Sequence, residues 1–186
     1  MQITHANMAV LTEAEAESGL PRGLEQIFLE YKDHIFRAAY RVTGNAGDAE
    51  DVLQTVFLRL ARQEQFPEIA NLPAYLHRSA VNASLDLLRR RKDSRMVPLD
   101  DEESHVEVVS ANTVQPSTEI RDWLRAALAR LNPRWAEMFV LRFIEDYSNR
   151  EIADMMETSS AVVAVVLHRT RALLKKDFKG STRGRR

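Results

Sequence analysis

Histidines stand at His5, His34, His77, His105 and His168, each isolated from the others, and the chain has no cysteine. None of these positions shows metal-ligand spacing, so structural or surface roles fit them and neither a metal nor a cofactor is expected. Carboxylates are abundant, but a chain with 6 glycines has no Gly-rich phosphate loop and no nucleophile elbow to give them companion chemistry. Catalysis is therefore not expected. The polar residues are better suited to binding. Asn82 and Asp86 lie one helical turn apart and are followed by Arg89, Arg90, Arg91 and Lys92. An amide can pair with a base edge, while arginines grip phosphates and stack. A solvated helix C-terminus would also favour basic residues, yet three consecutive arginines exceed what capping needs. Asp51 and Gln54, three residues apart, project from one exposed helix face with Glu50 and Thr55 beside them. Acidic first turns complement the helix dipole, but Gln54 lies beyond that turn, where the dipole does not account for it.

These residues need helices to position them, and the apolar spacing supplies helices throughout. Leu24, Ile27, Phe28, Tyr31, Ile35, Ala38 or Ala39 and Val42 recur at three- and four-residue steps up to Gly44. A second stripe, Ala49, Val52, Leu53, Val56, Phe57 and Leu60, falls in a helix from about 46 to 63. A loop with Phe66 and Pro67 follows. Pro73 then opens a helix carrying Tyr75, Leu76, Ala80, Leu85 and Leu88 into the arginine run. Further on, Ile120, Leu124, Leu128 and Leu131 mark one helix, and Asn132-Pro133 starts another with Trp135, Met138, Phe139 and Leu141 as its core. Ser148-Asn149-Arg150-Glu151 is a capping box that opens a short helix. After the turn Thr158-Ser159-Ser160 comes a longer helix to about Lys176, and the pair reads as helix-turn-helix. Its valine run, 162–166, would suit a buried strand, but Leu167, Thr170, Leu173 and Leu174 continue a helical stripe from Val163.

The expected fold is therefore all-α, with two small helical domains joined by a flexible acidic linker. Its parts are a mobile extension at 1–22, a helical domain at 23–95, the linker at 96–116, a helix-turn-helix domain at 117–178 and a basic tail at 179–186. With 186 residues, 45% hydrophobic and 28% charged, the chain has the make-up of a soluble globular protein of one or two domains. The net charge of −1 conceals segregation. Two basic clusters end helices, while Asp100, Asp101, Glu102, Glu103 and Glu107 concentrate in the linker. The longest apolar run, 161–167, falls far short of the ~18 residues of a membrane span. Residues 1–20 lack the order of a signal peptide, so a cytoplasmic protein without membrane insertion is expected.

Three stretches, 48–59, 75–90 and Ser148 through Arg171, resemble the best-marked blocks of bacterial sigma-70-type transcription initiation factors, and the size resembles their small extracytoplasmic-function (ECF) group. The resemblance covers 23–95 and 117–178 in family order, with an acidic linker between. It implies that the first domain binds core RNA polymerase and opens the promoter, while the second reads the minus-thirty-five element. On this resemblance Glu50, Asp51, Gln54 and Thr55 would dock on the clamp coiled coil of the largest polymerase subunit. Phe66, Asn82, Asp86, Arg89, Arg90 and Arg91 would engage the minus-ten element, where family members hold a base flipped from the non-template strand. For Phe66 alone, a core plug is an equal reading.

The final helix departs from the family. Where relatives carry polar readers, residues 161–166 are all Ala or Val. With Val163, Leu167, Thr170 and Leu174 facing inward, Ser160, Ala161, Ala164, Val165, His168, Arg169 and Arg171 remain for the minus-thirty-five element, through thymine methyls and phosphates rather than bidentate base pairs. Tyr75 and Ser79 also stand where the family often has Trp and Ile. Two alternatives remain: a sigma-like interaction protein whose apolar last helix binds an anti-sigma regulator instead of DNA, and an ordinary helix-turn-helix repressor or activator, which would need neither the Asp51/Gln54 face nor the Asn82 block.

Overall fold

The computed structural model describes residues 22–62, 71–94 and 116–183, and every regular element among them is a helix. All but the last residue of the expected extension, the loop with Phe66 and all but the last residue of the expected linker lie outside the described residues.

Helix α1 (Arg22–Thr43) stops at Gly44, whose φ of +71° lets its N–H turn back to the Tyr40 carbonyl at 2.8 Å. Asn45 immediately caps α2 (Ala46–Ala61), its side chain accepting the Asp48 N–H at 3.1 Å. Helix α3 (Leu72–Ser94) follows, with the Asn71 side chain accepting the Ala74 N–H at 3.1 Å. The second half holds α4 (Pro116–Arg130), α5 (Pro133–Phe143), α6 (Asn149–Met155) and α7 (Ser160–Arg183). Asn132 caps α5 with Pro133 in its first turn, and both halves of the Ser148/Glu151 capping box form at α6.

Two apolar clusters result, and α3 belongs to both. Leu76, Ala80, Ala83 and Leu87 pack with α1 and α2 around Leu24, Ile35, Val52 and Leu60. Val81, Leu85 and Leu88 form a second stripe on α3 that joins Val42 and the cores of α4 to α7, including Leu128, Met138, Leu141, Ile152, Val163 and Leu167. The sequence reading placed Leu76, Ala80, Leu85 and Leu88 on one helix without dividing them, and the structure sends Leu76 and Ala80 to one core and Leu85 and Leu88 to the other. Each stripe advances by three or four residues, so two faces of one helix carry separate cores.

The valine run is helical. Val163, Leu167, Thr170 and Leu174 point inward as expected, and the buried Thr170 hydroxyl donates to the Val166 carbonyl at 2.8 Å. Several details differ from the sequence reading. Leu173, expected on the inward stripe of α7, is 48% exposed, and Trp135, expected in the core of α5, is only half-buried and outside both apolar clusters. Ile120 is 50% exposed, with Ala127 and Ala129 taking the buried positions of α4, and Phe28 lies at the surface edge against Phe57. Helix α7 continues past Lys176 to Arg183, so part of the expected basic tail is helical. Its last turns are tied to α4 because Asp177 accepts hydrogen bonds from Trp123 Nε1 at 3.0 Å and Arg130 at 2.6 Å, with Phe178 edge-on to Trp123. No helix among the described residues is long and apolar enough to cross a membrane.

Candidate nucleic-acid interface

Burying Ala49, Val52, Val56, Phe57 and Leu60 turns the opposite side of α2 outward. Glu50, Asp51 and Gln54 are exposed there and Thr55 is half-buried. Leu58, not anticipated from the sequence, extends the Asp51/Gln54 stripe by one turn and is 55% exposed. A polar stripe ending in an uncovered leucine suits a protein partner better than a phosphate backbone.

The arginine run of α3 does not act as a block. Arg91 grips both carboxylate oxygens of the buried Asp48, tying the end of α3 to the start of α2. Burial pushes the Asp48 carboxyl above its usual range, and Arg91 only partly offsets this. Arg89 pairs with Asp86 at 2.9 Å, while Arg90 is exposed. Phe66 lies outside the described residues.

Asn82 is half-buried, and its amide donates to Glu137 of α5 at 3.0 Å. Arg78, one turn earlier, donates from Nε to the same Glu137 oxygen at 2.6 Å and from Nη1 to the Met155 carbonyl at 2.5 Å. Beside them, Glu145 from the α5–α6 turn is buried between Arg41 and His77. Arg41 donates through Nε at 2.9 Å and Nη2 at 2.5 Å. His77 Nε2 lies 3.1 Å from the carboxylate, and its Nδ1 is 3.0 Å from His34 Nε2. Burial by itself would raise the Glu145 carboxyl, but His77 and Arg41 outweigh it and hold the group below its usual range. His34 is held below the ordinary histidine value by burial and by the adjoining His77, Arg37 and Arg41.

The sequence reading missed Arg78, Glu137, Glu145 and Arg41. Their partners lie 55 to 104 residues away, beyond any local pattern.

In the helix-turn-helix, Glu157 adopts a left-handed φ of 50° in the turn and the Ser159 hydroxyl accepts the Val162 N–H at 3.3 Å, setting the entry of α7. All seven expected reader positions, Ser160, Ala161, Ala164, Val165, His168, Arg169 and Arg171, are exposed. They do not form one uniform face. The first part is apolar, with Val162 and Val165 about half exposed, whereas Arg171 lies 5.6 Å from the Phe143 ring centroid on another side. Phe143 belongs to an open groove lined by Ile120, Trp123, Phe139 and Phe178.

The two halves of the molecule match separate family models, Sigma-70 region 2 over residues 27–94 and Sigma-70 region 4 over 121–174. An ECF RNA polymerase sigma factor, SigM of Mycobacterium tuberculosis, is 32% identical over 151 residues, covering 81% of this chain and 74% of the relative. SigE of Mycolicibacterium smegmatis is 32% identical over 153 residues, covering 81% of this chain, which spans 60% of that relative's length. CnrH, solved in complex with the cytosolic domain of CnrY, shares the fold with a TM-score of 0.51 and 22% identity over 90% of this chain and 94% of its own. With both conserved regions matched in order and a relative of this similarity covered over most of its length, the chain belongs to the sigma-70 family of RNA polymerase sigma factors, in the ECF group.

Proposed function

We propose that this chain is an alternative sigma factor that binds core RNA polymerase in the cytoplasm and directs promoter recognition, promoter opening and transcription initiation, without catalysing a reaction itself. The observation that carries this reading is the uncovered α2 face. Glu50, Asp51, Gln54 and Leu58 stand outward on a helix whose other side is fully packed, in the same domain as Asn82 and on the same chain as a capped helix-turn-helix. An ordinary repressor has no use for the first two features. In this reading α2 docks on the polymerase clamp, α3 with Asn82, Asp86 and Arg89 to Arg91 engages the minus-ten strand, and the exposed side of α7 meets the minus-thirty-five duplex. The apolar start of α7 would discriminate bases weakly, leaving phosphate contacts by His168, Arg169 and Arg171 to supply affinity.

An anti-sigma protein is also proposed as a partner. The aromatic groove between α4, α5 and α7 offers it an apolar surface, and CnrH, which shares the fold, was solved with the cytosolic domain of CnrY. The test is a pull-down with core polymerase followed by run-off transcription, using wild type and the Asp51→Ala, Gln54→Ala double variant. The variant should keep its fold and lose polymerase binding and transcript together. Wild-type affinity in the variant would refute the docking assignment.

A further inference from the structure

Arg121 and Arg125 stand one turn apart on α4 and share a face, a like-charge pair that disfavours the helix carrying it. Both line a cleft of about 500 Å³ that has α4 and α5 on one side and the end of α1 on the other, and Arg41 lines it from α1. Among the described residues, none that lines it is acidic. From this convergence we infer that the cleft binds a purine nucleoside diphosphate, a ligand separate from polymerase and promoter.

The arginines have donors to spare. Arg41 holds the buried Glu145 through Nε and Nη2, while Arg125 holds the Val42 carbonyl through Nε and Asp122 through Nη1. Each keeps one Nη group without a partner among the described residues, and the exposed Arg121 keeps all of its donors. Gly44 locates one of these groups. A Cβ there would overlap Arg125 Nη2, so this nitrogen lies directly against a glycine that lines the cleft. Guanidinium forks match phosphate oxygens, and the apolar remainder of the lining strengthens the attraction by excluding water. The aromatic part of the lining suits a base. Tyr40 is 48% exposed and lies nearly parallel to Phe36, at 12° between ring planes, so a purine can extend the pair into a longer stack. Phe143, 43% exposed, lines the same cleft from α5. Its volume falls in the range of small-molecule sites, roughly 300–1,000 Å³. Inorganic phosphate would meet the arginines and leave the rings unused, a nucleoside would do the reverse, and a nucleotide uses both. Spare donors on more than one guanidinium favour two phosphates over one.

Fluorescence anisotropy of N-methylanthraniloyl-ADP, titrated with the full chain, should show saturable binding that unlabelled ADP reverses. Tyr40→Ala and Arg121→Ala, both at exposed positions, should each weaken it about tenfold, the loss of one stacking contact or one charge-assisted phosphate contact. Tyr40→Phe keeps the ring face and should bind as wild type. Tyr40→Leu, bulky but not aromatic, serves should Tyr40→Ala melt below wild type. Arg59→Ala, on the exposed side of α2, removes an equal charge elsewhere and should leave binding unchanged. Saturating ADP should raise the melting temperature of the wild-type chain, since it binds only the folded form. Absence of saturable binding, an unmoved melting temperature, or wild-type affinity in Arg121→Ala or in the non-aromatic Tyr40 variant overturns the inference. Equal weakening in Arg59→Ala also overturns it, because net charge would then explain the result. Displacement of the probe by inorganic phosphate as readily as by ADP makes the cleft a plain anion site, and stronger displacement by a short single-stranded DNA gives it to a strand. Either result overturns the nucleotide assignment.

Discussion

Gly44 sits where the two domains meet, and replacing it with alanine should cost stability in two separable ways. Its φ of +71° lies in the left-handed region, where a Cβ costs about 1–2 kcal/mol. The new Cβ would also overlap the Arg125 guanidinium, which now donates from Nε to the Val42 carbonyl at 3.3 Å and from Nη1 to Asp122 at 2.8 Å. The guanidinium is the free end of a flexible side chain and can swing out, so the clash reduces to the loss of the longer, half-exposed bond, about 1 kcal/mol. Gly44→Ala should therefore destabilise by about 2–3 kcal/mol, lowering a urea midpoint by roughly 1 M for an m-value near 2 kcal/mol/M. Arg125→Ala removes the group that must move, so the double variant should be about 1 kcal/mol more stable than the sum of the single effects implies. Far-UV circular dichroism in urea on all four proteins gives the cycle. Strict additivity would show that Arg125 does not pack against this turn, and a Gly44→Ala effect under about 0.5 kcal/mol would refute the backbone part as well.

Ser148→Ala removes one half of the capping box and should cost about 1 kcal/mol in urea denaturation, with Ser148→Asp recovering most of it. Stability should fall as the pH drops below about 6.5, because the unfolded chain protonates its histidine more readily than the folded chain protonates His34. His34→Gln should flatten that step in a plot of urea midpoint against pH, and an unchanged step would exclude His34 as its source. At lower pH, protonating Glu145 removes stability that is present above the ordinary carboxylate range, while Asp48, shifted upward, changes stability in the opposite sense. Val165→Glu places a carboxylate on the exposed apolar start of α7. If this patch docks a protein, partner capture should be lost while the salt slope of duplex binding, set by Arg169 and Arg171, changes little. A sharp base preference that persists in Val165→Glu would contradict both uses of the patch.

Local rules account for most of what the sequence revealed. Asn45, Asn132-Pro133 and the Ser148/Glu151 box announce helix starts because caps act within three residues, and Val163, Leu167, Thr170 and Leu174 announce the buried side of α7 because helical periodicity is local too. The exposed placement of Asp51 and Gln54 followed from the apolar stripe beneath them. What was not legible depends on meetings across the chain. Nothing near Asn82 signals that its amide will meet Glu137, and nothing near Arg91 signals the buried Asp48. Ile120 misled for a related reason: its period was right, but a helix end can extend past the core it serves, here leaving the side chain on the rim of an aromatic groove. The dual role of α3 was hidden as well, since two interleaved stripes read as one broad apolar face when only one partner is assumed.

That dual role also orders events during synthesis. Everything α3 needs for its first core precedes it in the chain, so α1 to α3 can condense as soon as they leave the ribosome. The Val81, Leu85 and Leu88 edge must then wait for residues as distant as Leu167. At ~5–20 residues per second that delay is roughly 4–15 s, long compared with helix formation. During this interval a newborn chain presents an oily strip whose cluster, among the earlier described residues, holds only Val42 outside α3. Chaperone capture, or premature meeting with another nascent copy, should concentrate on that strip, and ribosome stalling between α3 and α5 should lengthen the period of risk.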